Sequence, residues 1–292
     1  LATSPVATAN PQAQPENVII TNLTGTSATV TYTTEIAVEG YASATAGGSG
    51  IITGNDERDL SGDRSSYETH HIILNGLQPN TEYELEIFSD GASFSDPSWN
   101  FSTFPLSQTA TAPDPYFGQV NGLSSGIVYG VLGDGVSNSS VASTLVSPNG
   151  TFTLERTNMK NKSNGEQIQN LDSFEILIFV EGGGNQGIKQ VSTQEKNVGD
   201  IDATDSNLSF DPETVVTPGS LPSTGDDEDP DEPDVPENEN RGWVAWSAAN
   251  SPSPGRGFPV KDIRLKSRLQ FSYSIKTLAV KVKFFWLLRS SP

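Results

Sequence analysis

Alternation with a period of two residues constrains this chain more than any other feature. In TSATVTYTT, residues 26–34, Ala28, Val30 and Tyr32 fall on one face and Thr29, Thr31 and Thr33 on the other. Successive side chains of a strand point to opposite sides, so such a segment suits an extended strand with one face toward a core. HHIIL and TEYELEIFS repeat the logic, the latter with Tyr83, Leu85 and Ile87 inward and Glu82, Glu84 and Glu86 outward. Helical periodicity is nearly absent before the C-terminal tail. Short strands between Gly, Asn, Asp and Pro turns predict an all-β chain built from antiparallel sandwiches.

A chain of 292 residues accommodates two such domains of about 100 residues each, with linkers. It has no cysteine, which excludes a disulfide framework, a thiolate metal site and a cysteine nucleophile. The net charge of −19 is unevenly spread: residues 1–225 hold 7 bases and 26 acids, residues 226–240 hold 9 acids and no base, and residues 241–292 hold 10 bases and one acid. An acidic body repels nucleic acid, and no nucleic-acid partner is expected. Residues 1–15 are Ala/Thr/Pro/Gln-rich, lack an initiator Met, and read as an extended leader of an exported mature chain.

The stretch LNGLQPNTEYELEI places Leu77, Pro79, Thr81 and Tyr83 in an L-x-P-x-T-x-Y spacing. With the TSATVTY strand before it and WNFSTF after it, this resembles a fibronectin type III domain over residues 16–104. The resemblance implies a tyrosine corner, in which the Tyr83 hydroxyl bonds back to the loop backbone. Tyr32 stands where that family often has Trp. Residues 105–114 form a Pro/Thr/Ala linker, expected to be extended and stiff. Residues 115–200 resemble the prealbumin-like sandwich of carboxypeptidase regulatory-like domains, on Gly118 and Val120 in an opening strand and Gly150 and Phe152 in a second. Pro148-Asn149-Gly150 is read as a tight hairpin turn.

Residues 201–240 are polar and proline-rich, and are expected to form a disordered acidic tether. Leu221-Pro222-Ser223-Thr224-Gly225 within it resembles the sorting motif of sortase substrates, which implies attack of a sortase on the Thr-Gly carbonyl. The family pattern continues into an apolar membrane segment; here Lys276, Lys281 and Lys283 interrupt the apolar residues. The tail 241–292 is basic with strand-like alternation, and reads either as two amphipathic strands or as an out-of-frame stretch.

Other candidates are weaker. GLSSG, residues 122–126, matches G-x-S-x-G at Ser124, but no helix follows and the pattern is read as a turn. His70 and His71 are neighbours on a strand, so they point to opposite faces and cannot share a metal; one is expected packed, the other exposed. Asp200, Asp202 and Asp205 alternate loosely like a calcium loop without its Gly and Glu. No other metal site, no cofactor and no catalytic residues are expected. Asn22, Asn100 and Asn149 begin Asn-x-Ser/Thr triplets. The long loop 47–68 is a candidate contact surface.

The expectation from all this is a non-enzymatic, exported bacterial surface protein, located at the cell surface or cell wall. It would act as a stalk or adhesion module whose partners are wall or surface components, a sortase, or copies of itself. One alternative is an accessory, carbohydrate-binding fragment of a secreted enzyme, with Trp99 and Tyr41 as stacking rings. Another is a filament subunit whose tail donates strands to a neighbour.

Overall fold

Alternation in TSATVTYTT continues without a break in phase to Ala46, and the chain makes of it one strand of unusual length. A computed structural model describes residues 10–47, 50–60, 62–107 and 112–219. In it the elements are β-strands and three short 3-10 turns, and all but one of the strand pairings are antiparallel. Strand β2 runs from Ser27 to Thr45. Its first part pairs with β1, Glu16–Thr21, and with β4, Ser66–Asn75. Its last part pairs with β3, Ile51–Asn55, and with β5, Glu82–Ser89. The register against β4 breaks between Thr33 and Val38, where the Thr34 hydroxyl donates to the Ile36 carbonyl at 2.8 Å. Such an irregularity bends a strand, so one strand here serves both sheets of the sandwich.

Strands β6, Ala92–Phe94, and β7, Phe101–Ser102, complete the second sheet along β5. The even positions from Ala28 to Ala46 then meet in the core: Ala28, Val30 and Tyr32 pack with Ala42, Ala44 and, just past β2, Ala46, joined by Ile72, Leu74, Tyr83, Leu85 and Ile87. Where the chain leaves β4, Pro79 and Thr81 shape the corner and the Tyr83 hydroxyl accepts the Gln78 N–H at 2.8 Å. Thr81 donates to the Pro79 carbonyl at 3.0 Å, and Leu77 is buried beneath the turn.

The second sandwich has two distinct sheets. In one, the order is β10, Ala142–Leu145; β9, Ile127–Gly133; β12, Glu175–Gly182; β13, Asn185–Ser192. The other has β11, Thr151–Glu155, beside β8, Pro115–Asn121, which pairs in parallel with β14, Asn197–Asp202. The Pro148–Gly150 turn therefore does not close a hairpin. It carries the chain from β10 in one sheet to β11 in the other, with Gly150 at φ +81° and its N–H donating to the Ser147 carbonyl at 2.8 Å. Tyr116, Val128, Leu132, Phe152, Leu154 and Ile178 lie in the core between the sheets.

All seven residues of β9 are buried, and this decides the remaining architecture. A sandwich strand with one solvated face shows alternating burial; one buried on both faces needs a third layer. The outer side chains Ile127, Tyr129, Val141 and Phe179 form a second apolar cluster that packs with Ile19 of β1 and with Leu208 and Phe210. Two covers thus lie on this sheet, the first sandwich and the segment after β14. That segment, expected as part of an extended tether, instead packs as a strap through residue 219. The backbones of Asp205 and Gln186 exchange hydrogen bonds, Asn138 Nδ2 donates to the Thr214 carbonyl at 2.7 Å, and the Val216 N–H returns to Asn138 Oδ1 at 2.9 Å. Apolar residues were sparse there, but three of them, Leu208, Phe210 and Val216, fall where the sheet offers a surface. The motif 221–225 and the tail 241–292 lie outside the described residues.

Tyr83→Phe removes the hydroxyl and leaves the Gln78 N–H without that acceptor while keeping the ring in the core. The expected cost is about 1–2 kcal/mol, read from the midpoint of urea unfolding.

Candidate functional site

The contact between the two sandwiches is polar where it is most closely bonded. Strand β1 ends at Thr21, and Asn22 takes the left-handed conformation, φ +48°, which asparagine tolerates better than other side-chain-bearing residues. This turns its N–H toward the Val141 carbonyl, 2.9 Å away in the second sandwich. The side chain then reads Ser143 as a backbone partner would. Its Oδ1 accepts the Ser143 N–H at 3.0 Å, while its Nδ2 donates to the Ser143 carbonyl at 3.0 Å and to Oγ at 3.2 Å. Asn158 Nδ2 adds a bond to Asn22 Oδ1 at 3.1 Å.

Around that pair, Thr21 Oγ1 lies 2.6 Å from Ser143 Oγ, and His71 Nε2 lies 3.0 Å from the same atom. His71 Nδ1 faces Glu57 Oε2 at 2.9 Å; the hydrogen bond to the imidazole holds the Glu57 carboxyl below its ordinary range. Ser143, His71 and Glu57 thus stand in the order of a hydrolase relay. The serine oxygen, however, is already met by Thr21 and Asn22. Ser143 is 6% exposed, and neither of the clefts along the seam is lined by it. The constellation acts as a lock between domains. It also explains why Thr29 and Thr31, on the face of β2 opposite the first core, are buried: the second sandwich lies over them.

His70, pointing the other way, enters the first sandwich. Its ring stacks on Tyr32 with centroids 4.3 Å apart, and Tyr67 approaches edge-on at 6.2 Å. The stack needs Gly40, because a Cβ there would lie 2.0 Å from the Tyr32 hydroxyl. Asp56 is buried beside them, accepting Arg58 Nε at 2.7 Å and the His71 N–H at 2.9 Å. Burial alone would raise the Asp56 carboxyl, but the bonds and charge of Arg58 bring it below its usual value. Burial pushes the His70 imidazole down to about 4, with the Arg58 charge adding to the shift and Asp56 opposing it. The expectation of one packed and one exposed histidine is therefore corrected: both are buried, because the outer face of β4 is covered by a second domain.

The described residues of the loop 47–68 hold regular structure. It contains β3 and the Asp56–Arg58 turn, and Arg58 lies over the Tyr67 ring at 3.5 Å. Ile51 and Leu60 remain exposed on it. Tyr41 stacks on Phe88 at 4.3 Å with rings 1° from parallel, and the Arg64 guanidinium covers it at 3.7 Å. Two groups that close cannot share one face, so both faces of Tyr41 are occupied within the protein. Trp99 is half-buried against the first core. Asp200 and Asp202 share the Asn121 amide, whereas Asp205 bonds the Asn207 N–H. Among the described residues no group of three His, Asp or Glu side chains is placed to hold a metal. Ser124 sits in the bend between β8 and β9, with strand following. Asn100 and Asn149 are exposed.

No family model matches the chain, and no curated protein matches it. Among solved structures, the crystal structure of chicken CNTN1 FN1-FN3 domains is similar over 67% of this chain and 68% of that one, at 15% identity and a TM-score of 0.26. A likeness at that level carries no weight for fold or function; the β-sandwich character rests on the pairings above. No described helix is long and apolar enough to cross a membrane.

Two outcomes follow from this geometry. Asn22→Gly keeps the left-handed backbone and deletes the amide, so its cost, about 2 kcal/mol in urea unfolding, isolates the side-chain bonds across the seam. His70 is neutral in the fold, whereas in the unfolded chain it takes up a proton near pH 6.5. Stability is therefore intact above about pH 6.5 and falls by roughly 3 kcal/mol as the pH drops to about 4. His70→Phe, which keeps the stack on Tyr32, should flatten this part of the profile; an unchanged slope would place the acid sensitivity elsewhere.

Proposed function

We propose that this chain is a non-enzymatic module of an exported surface protein, in which a fibronectin type III-like unit and a second, prealbumin-like sandwich act together as one stiff stalk element. The observation that carries this reading is the seam. A spacer transmits position and force only if its domains do not pivot, and the bonds of Asn22 to Ser143, with the apolar contact of Ile19 on the outer sheet, hold the two sandwiches at a fixed angle. The tyrosine-corner bond, and the division of β1, β2 and β4 from β3, β2 and β5, support the fibronectin type III-like assignment for residues 16–104.

Attachment would use Leu221-Pro222-Ser223-Thr224-Gly225. Gly219, two residues before it, donates its N–H to Glu175 Oε2 at 3.0 Å, so the motif follows almost directly on the end of the strap. Sorting there would join the stalk to the wall or to another subunit.

Incubating the full chain with a sortase and triglycine should yield a product ending at Thr224 joined to triglycine, identified by intact mass. Thr224→Ala should abolish it. A chain that stays whole under conditions that process a control substrate would remove the sorting step from this reading.

A further inference from the structure

Two clefts of about 540 and 400 Å³ open along the seam between the sandwiches, and they share Glu68, Thr69 and Gly183, so together they make one groove. Four carboxylates line it: Glu16, Glu35 and Glu68 from the first sandwich and Glu181 from the second. Among the described residues no Lys, Arg or His lines either cleft, and none of the four carboxylates enters an ion pair. Glu35 Oε1 accepts the neutral Gln12 amide at 3.1 Å.

Glu181 sets this groove apart from an ordinary acidic surface. It is 6% exposed, and one of its oxygens accepts the Tyr129 hydroxyl at 2.8 Å. The other oxygen has no protein donor, yet it is not sealed in the interior, because Glu181 forms part of the cleft wall. Burial holds this carboxyl above its ordinary range, with the Tyr129 bond opposing the shift. A nearly buried carboxylate without a counter-ion is unfavourable, and a cation brought into the groove would relieve it. One metal ion does not fit, since no three acidic or His side chains among the described residues converge to hold it. Charges spread along a groove call for cations spread along a chain.

The protein carries such a segment. In IRLKSRL, residues 263–269, Arg264, Lys266 and Arg268 alternate with Ile263, Leu265 and Leu269. An extended chain would set these three cations on one side, about 7 Å apart. We propose that residues 263–269 dock along the seam groove of the same chain, Arg264, Lys266 and Arg268 pairing with the carboxylates of Glu16, Glu35, Glu68 and Glu181. The reach is sufficient. The strap ends at Gly219, bonded to Glu175 at the start of β12, and Glu181 lies six residues along that strand, about 20 Å away. From Gly219 to Arg264 the chain runs 45 residues, and a flexible coil of that length spans about 35–40 Å. Tethering keeps the effective concentration near the millimolar range, so individually weak ion pairs suffice. The inference rests on neither sorting nor the stalk reading, and concerns the chain before any cut at Thr224.

The test is carbodiimide cross-linking of the full chain at neutral pH, which joins a lysine amine to a nearby carboxylate as an amide and is read by peptide mass spectrometry. Lys261 and Lys266 should be joined to Glu16, Glu35 or Glu68 at least about fivefold more often than to Glu82, Glu84 and Glu86, an acidic stripe on β5 with no buried member. Glu181→Gln, which keeps an acceptor for Tyr129, should lower that yield about fivefold. Arg264→Glu with Arg268→Glu leaves residues 10–219 untouched, so it stays informative if the Glu181 variant folds poorly, and should lower the yield about tenfold. Equal yields at the two acidic surfaces, no cross-links to the groove, or yields that neither variant lowers overturn the inference. Cross-links joining light to heavy chains in an isotope-labelled mixture overturn it as well, since they would place the segment on a second copy.

Discussion

The sheet containing β9 and β12 has two apolar faces, and the rest of the molecule is organised to keep both dry. One face meets β8, β11 and β14 in an ordinary sandwich core. The other offers Ile127, Tyr129, Val141 and Phe179, a patch that water would otherwise meet. Burying apolar area is worth roughly 25 cal/mol per Å², so leaving such a patch exposed would be expensive and invite aggregation. The chain covers it from both ends. Ile19 comes from the first strand of the first sandwich, and Leu208 and Phe210 come from the strap after the last strand.

Apolar cover alone would allow sliding, and the polar seam removes that freedom. Asn22 engages both the N–H and the carbonyl of Ser143, which fixes direction as well as distance. The seam encloses His71, whose chain neighbour His70 turns the other way into the first core. Neutral imidazole is the form compatible with His70's burial. The acid response of the first sandwich thus comes from its own core, where His70 is stacked on Tyr32.

Much of this was legible in the sequence, and the failures have two causes. The alternation at Ala28, Val30 and Tyr32 and at Tyr83, Leu85 and Ile87 identifies strands and their inner faces, and the all-β class is the one observed. Alternation says which residues share a face but not what lies on it. Thr29, Thr31 and His71 sit on the outward side by that rule, yet are buried because another domain arrives there. The unbroken apolar run Ile127–Leu132 was the available signal, since a strand with two buried faces requires an extra layer. The strap was hidden by composition: its polar residues resemble a linker, and its backbone bonds to Asn138, Gln186 and Gln190 leave no trace in hydropathy. Asn22 was visible only as the start of an Asn-Leu-Thr triplet.

That triplet bears on where the chain can mature. A glycan is joined through the same Nδ2 that here donates to Ser143 and Thr29, and it would occupy the space filled by the second sandwich. A secretory route that glycosylates Asn-x-Thr as chains emerge would mark Asn22 before the sandwiches could meet. Docking through Asn22 requires that its amide stay unmodified. Material made in a glycosylating host would be expected to carry the correct sequence and two folded halves, held apart by a sugar.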